Sequence, residues 1–105
     1  MTLKEFQEKV DKWAKQFDPP YWTPHQIMTR LVEEVGELAR EVNHVHGPKK
    51  KKAGEKEGSI GDEISDVIFT LICLANKEGI DLDQYFNTLI DEKCYIRDNN
   101  RYKKI

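Results

Sequence analysis

Hydrophobic positions recur at helical spacing in four stretches of the chain. Leu3, Phe6, Val10, Trp13, Ala14 and Phe17 mark the first, over roughly residues 3–17, because residues three and four apart share a helix face. Asp18-Pro19-Pro20 closes it, since a residue before proline is driven out of the helical region. In the second, about 24–45, Met28, Leu31, Val35, Leu38, Val42 and Val45 step 3-4-3-4-3, the spacing of a bundle seam. Gly47-Pro48 stops it. The third covers about 60–78 and ends near Gly79. The fourth begins after Asp81, carries Leu82, Tyr85, Phe86, Leu89 and Ile90, and fades near Asp98. Each stretch opens on a pattern that predicts a capping box: Thr2-x-x-Glu5, Thr23-x-x-Gln26, Ser59-x-x-Asp62 and Asp81-x-x-Gln84. No strand-like alternation of useful length occurs. The expectation is an all-α fold, a four-helix bundle forming one domain over residues 1–105.

The third stretch differs from the others. From Val67 to Ala75 it is apolar on nearly every face, and a helix of that kind must be covered all round. Four helices of this size do not cover one of their own on every side. The pattern therefore predicts a homodimer or a dimer of dimers, joined through this third helix.

Composition narrows the class. The 105 residues carry a formal net charge of −2 with 34% charged residues, which argues against a chain that coats a nucleic acid polymer. The apolar run of the third helix is too short to span a bilayer. Met1-Thr2-Leu3-Lys4-Glu5 has no hydrophobic signal core, so the cytoplasm is the expected location. Cys73 and Cys94 make no CxxC pair, so a zinc or redox motif is not expected.

The polar positions that break the helical pattern carry the chemistry. Glu33-Glu34-Val35-Gly36-Glu37 and Asp62-Glu63-Ile64-Ser65-Asp66 are two acidic runs inside apolar, helix-periodic segments. Glu34 with Glu37, and Glu63 with Asp66, lie one helical turn apart. Crowded carboxylates destabilise a helix unless a cation neutralises them. Two such turns facing each other form an all-oxygen site of the kind Mg²⁺ prefers. Asp66 shares its face with Phe69, Thr70 and Cys73, which predicts a partly buried position. Gly36 costs about 1 kcal/mol inside a helix, which a close approach by another helix or a ligand would explain. The pattern points to metal-dependent chemistry on a phosphorylated substrate.

Glu33-Glu34-x-x-Glu37, followed after 25 residues by Glu63-x-x-Asp66, resembles the paired EExxE and ExxD signature of the MazG-like all-α nucleoside triphosphate pyrophosphohydrolases. The flanks Leu31-Val32 and Leu38-Ala39, and Gly61-Asp62 and Val67-Ile68, agree with it. The resemblance covers roughly residues 20–102, and the short form is similar to the YpjD-type members. It implies a Mg²⁺-dependent enzyme, with Mn²⁺ as a substitute, cleaving a (d)NTP to the (d)NMP and pyrophosphate. It implies Glu34, Glu37, Glu63 and Asp66 as metal ligands, and Glu33 as a carboxylate that orients or deprotonates water. Glu37 would serve the reaction as well as the metal.

A triphosphate needs cations beyond the metal. Lys93, Arg97 and Arg101 recur every fourth residue as a basic stripe. The resemblance assigns phosphate contacts to a Lys and an Arg four apart near the chain end, a spacing Lys93 and Arg97 fit. Lys49 to Lys52 read as a solvated loop, whereas Lys56, nearer the second acidic turn, is a candidate for closing over substrate. Trp22, beside a proline-rich turn, is the candidate for stacking on a base. Trp13 and Phe17 read as core. Asn43, His44 and His46 read as surface residues, with reading of a base edge as the alternative.

Other readings remain open. Within the same superfamily the substrate could be phosphoribosyl-ATP or a deoxyuridine nucleotide. Outside enzymes, the chain could be a non-catalytic helical interaction module. A di-metal oxidase bundle would need a Glu-x-x-His on each of two helices, and the sequence offers one, Glu41-x-x-His44.

Overall fold

The structure, a computed structural model, describes residues 1–55 and 58–105. Four α-helices follow in order, α1 (Leu3–Ala14), α2 (Pro24–His46), α3 (Ile60–Lys77) and α4 (Leu82–Thr88). A π-helical segment, Leu89–Arg97, continues α4, where the sequence predicts one uniform helix. There is no strand among the described residues.

The caps explain where the helices start. Thr2 with Glu5 and Thr23 with Gln26 form complete capping boxes, and Pro24 follows its cap where a missing N–H costs nothing. Ser59 caps α3 through its bond from the Asp62 N–H alone. Asp81 caps α4 through the Asp83 N–H rather than in a box with Gln84. The α1 helix is shorter than its hydrophobic stripe predicts. After Ala14 the bonds tighten to the three-residue pattern, with Gln16 N–H on Trp13 O and Phe17 N–H on Ala14 O. At the far end of α3, Gly79 adopts φ +68°. The Ile80 N–H reaches Ala75 O at 2.8 Å and the Gly79 N–H reaches Asn76 O at 3.3 Å. This double closure needs a left-handed residue, which glycine adopts without steric cost.

Packing centres on α3, which lies against α2 and α1, while α1 also touches α4. One amide ties three of these elements together. Gln7, in α1, donates to Asn76 Oδ1 (3.0 Å) and Ile80 O (2.7 Å) and accepts from the Leu82 N–H (2.9 Å). Asn76 also donates to the Tyr21 hydroxyl at 3.1 Å, and Tyr21 donates to Asp11 at 2.6 Å. Burial, with the Asp11 hydrogen bond adding to it, pushes the Tyr21 phenol up to about 12. The phenol therefore remains a donor and anchors the turn before α2.

The orientation of α2 departs from its hydrophobic pattern. Its buried residues are Ile27, Glu34, Glu41 and His44. Of the expected seam, Met28, Val35, Val42 and Val45 are exposed, while Leu31 and Leu38 are half-buried. The helix buries Glu34, Glu41 and His44 beside Ile27 and leaves most of its apolar stripe outside. Gly36 follows the same orientation: a Cβ there would meet nothing within 4 Å, so none of the described residues makes the close approach that the sequence predicts. On α3, Ile64, Ile68, Phe69 and Leu71 are likewise exposed.

The chain therefore buries little apolar matter by itself. Ala14, Ile27, Ile72 and Ala75 are its buried hydrophobic residues. Its radius of gyration is 17.3 Å, against about 13 Å for a compact chain of this length. Its accessible surface is 8534 Å², against roughly 6100 Å² for a folded monomer of this mass. Among the described residues no helix is long and apolar enough to cross a membrane.

Candidate metal and nucleotide site

The turn of α2 at Glu34 and Glu37 faces the first turn of α3. Oxygens of Glu34, Glu37 and Glu63 lie within 4.8 Å of one another. Glu34 is 2% exposed, Glu63 is half-buried and Glu37 is exposed. Asp66 is more exposed than its sequence neighbours predict. Phe69 is exposed as well, so their shared face is open on one side. Asp66 stands close enough to act electrostatically on both Glu34 and Glu63. Glu33 is exposed and lines neither of the two cavities beside the cluster.

The electrostatics show a site short of positive charge. Burial pushes the Glu34 carboxyl above the ordinary glutamate range; Arg30 opposes this, and Glu37 and Asp66 add to it. Burial also raises Glu63, reinforced by Glu37, Asp66, Glu41 and Asp62. Glu34 Oε2 and Glu63 Oε2 are buried without a hydrogen-bond partner. Buried carboxylate oxygens need a donor or a cation. An all-oxygen set of this kind, with two orphaned oxygens, fits a hard divalent cation.

The sequence reading missed Arg30. Its guanidinium pairs with Glu34 Oε1 at 2.5 Å from one turn upstream. The i, i+4 spacing was the available signal.

An apolar cavity of about 540 Å³ opens beside the cluster. Trp13, Phe17, Trp22 and Phe69 wall it, and Arg30, Glu34 and Asp66 line its edge. Trp13 meets Phe17 edge-on at 5.1 Å and Phe69 at 5.9 Å. Trp13 and Phe17 are each 53% exposed, so they form cavity wall rather than core. Trp22 stands on the turn that Tyr21 anchors.

Other expected residues lie elsewhere. Lys93, Arg97 and Arg101 line neither cavity. Arg97 and Arg101 pair with Asp98, and the Asp98 hydrogen bond holds Arg97 above its ordinary value. Lys56 lies outside the described residues. His44 is buried at 9% exposure rather than at the surface, while Asn43 and His46 are exposed.

Against known proteins, the MazG nucleotide pyrophosphohydrolase domain matches residues 22–102. The chain belongs to this family. As a MazG protein it is a hydrolase acting on a phosphoric anhydride. It is 45% identical over 103 residues to YpjD of Bacillus subtilis, covering 98% of this chain and 92% of that one. The crystal structure of B. subtilis YpjD superposes with a TM-score of 0.78 at 46% identity, over 88% of this chain and 94% of the other. The Bacillus-conserved MazG protein, a nucleotide pyrophosphohydrolase, superposes at 0.75 with 42% identity over 89% of each chain. The MazG match takes in both acidic turns, the Trp22 turn and the basic C-terminal segment.

Proposed function

We propose that this MazG protein is a Mg²⁺-dependent enzyme that hydrolyses a nucleoside triphosphate between the α- and β-phosphates. The observation that carries the reading is the convergence of Glu34, Glu37 and Glu63 beside an aromatic cavity whose edge includes Glu34 and Asp66. Glu34, Glu37, Glu63 and Asp66 would hold the ion, with Mn²⁺ as a substitute. A bound ion supplies neutralising charge for the phosphate oxygens. The chain supplies the rest. Trp22 and the facing aromatics receive the base and exclude water from one side of the reacting phosphorus. A water oxygen adds to the α-phosphorus, the bond to the bridging oxygen breaks, and pyrophosphate leaves. Glu37 accepts the water proton from within the cluster, with Glu33 as an outer carboxylate.

Lys93, Arg97 and Arg101 are proposed to meet the charged phosphates from a second copy of the chain. The exposed faces of α2 and α3 support a homodimer or dimer of dimers. A cytoplasmic location agrees with a nucleotide substrate. Size exclusion with light scattering is expected to give a dimer or tetramer; a monomer would remove both the interface and the trans contacts.

The deciding experiment is release of pyrophosphate from a panel of NTPs and dNTPs, deoxyuridine nucleotides and phosphoribosyl-ATP, with Mg²⁺ and with EDTA. Metal-dependent pyrophosphate, without orthophosphate, is expected. Orthophosphate as the first product, or turnover in EDTA, would overturn the reading.

A further inference from the structure

A second cavity opens on the far side of the acidic cluster and shares Asp66 with the aromatic one. Arg40, Glu41, His44 and Lys51 line it beside Asp62 and Glu63. We propose that it is the subsite for the distal phosphates of the substrate, the unit that leaves as pyrophosphate, with Lys51 and His44 as its contacts. The proposal rests on the pyrophosphohydrolase reading above.

Three observations carry it. The first is order in space. Glu34 and Asp66 border the aromatic cavity, and Glu63 and Asp66 border this one. A nucleotide with its base among the aromatics and its phosphates across the acids ends here. The second is Lys51. The sequence places it in a solvated lysine run, yet its side chain is only 18% exposed and its ammonium lies 3.1 Å from Glu41 Oε1. Glu41 is itself buried. A Cβ at Gly58 would come within 3.3 Å of Glu41 Oε2 and 3.8 Å of Lys51 Nζ, so the backbone there lies over the pair. Drawing an ammonium out of water is costly, and Glu41 holds this one at the cavity wall. The third is His44, nine-tenths buried, whose Nδ1 has no hydrogen-bond partner. An imidazole nitrogen is a ready partner for a phosphate oxygen.

The charge of the cavity says how the ligand arrives. Glu41 is paired with Lys51 and Glu55 with Arg40. The remaining acids, Glu63 of the cluster with Asp62 and Asp66 beside it, would repel a bare anion. The distal phosphates therefore bind together with a divalent cation, and so does free pyrophosphate.

The test is product inhibition by inorganic pyrophosphate with Mg²⁺, set beside inhibition by the nucleoside monophosphate product. Lys51→Ala is expected to raise the inhibition constant for pyrophosphate about tenfold, the loss of one charge-assisted contact. The constant for the monophosphate should not move, and Lys51→Arg should restore most of the loss. Because Lys51→Ala leaves Glu41 unpaired, the double variant Lys51→Met/Glu41→Gln removes both charges at similar volume. It should show the same split between products. A change in both constants together, or in neither, overturns the subsite. If the unaltered protein releases no pyrophosphate from any nucleotide, the pyrophosphohydrolase reading itself fails, which is a different result from an indifferent Lys51.

Discussion

Glu37→Gln is expected to reduce pyrophosphate release roughly 10³-fold, about 4 kcal/mol of transition-state stabilisation, while the protein stays folded. Glu37 is the exposed member of the three-carboxylate cluster. Substitution at an exposed position changes stability by only about 0.5 kcal/mol in either direction. The structure adds a second expectation. Glu37 contributes to the rise of both Glu34 and Glu63, so removing its charge relieves repulsion in the metal-free protein. The variant should therefore melt at the same temperature as the parent in EDTA, or higher, and gain less from added Mg²⁺. Steady-state kinetics with paired thermal melts, with and without metal, would check this. Near-normal turnover would remove Glu37 from the chemistry. Lost turnover together with an EDTA melt well below the parent's would mean that Glu37 supports the fold.

That separation of activity from stability reflects what the sequence made legible. The four helices, their starts after Thr2, Thr23, Ser59 and Asp81, and the two acidic turns follow from local rules: periodicity, capping and spacing. The incomplete boxes at Ser59 and Asp81 and the π-helical segment do not. The orientation of α2 was the larger surprise. The 3-4-3-4-3 stripe identifies a face that needs cover, and periodicity cannot say whether the chain itself or a second copy supplies it. Here Glu34, Glu41 and His44 are buried while Val35, Val42 and Val45 are exposed. The residues of the further inference share that cause. His44 and Lys51 look like surface residues in a one-dimensional reading. Their roles depend on α2 turning its polar face inward and on a lysine-rich connection folding back over it. The aromatic cavity was half legible: Trp22 stood out beside its prolines, whereas Trp13 and Phe17 fit a core stripe until the last turn of α1 tightened.

Divalent metal should reverse the pH dependence of stability. In the metal-free protein the carboxyl groups of Glu34 and Glu63 lie above the ordinary value of 4.5. Between that value and their raised ones, the folded state holds more protons than the unfolded state. Stability therefore falls as pH rises through this window, and the benefit of proton binding is complete only below it. Asp11, held low by its hydrogen bond with Lys15, and Asp98, held low by Arg97, act in the opposite sense. Their window lies below 3.8, so they do not set the trend at higher pH. A protein melted in EDTA should thus lose stability as pH rises above 4.5 through this window. Mg²⁺ competes with protons for the same oxygens, so its effect should be small at the acid end and large at the neutral end. At a hundredfold excess over its dissociation constant it adds about 2.7 kcal/mol, roughly 10 °C or more for a chain of this length. Glu63→Gln should flatten the EDTA profile and blunt the response to metal, which ties both effects to the cluster rather than to other groups titrating in the same range. A melting temperature that ignores Mg²⁺ at pH 7.5 would mean that these carboxylates, close as they stand, do not hold the ion.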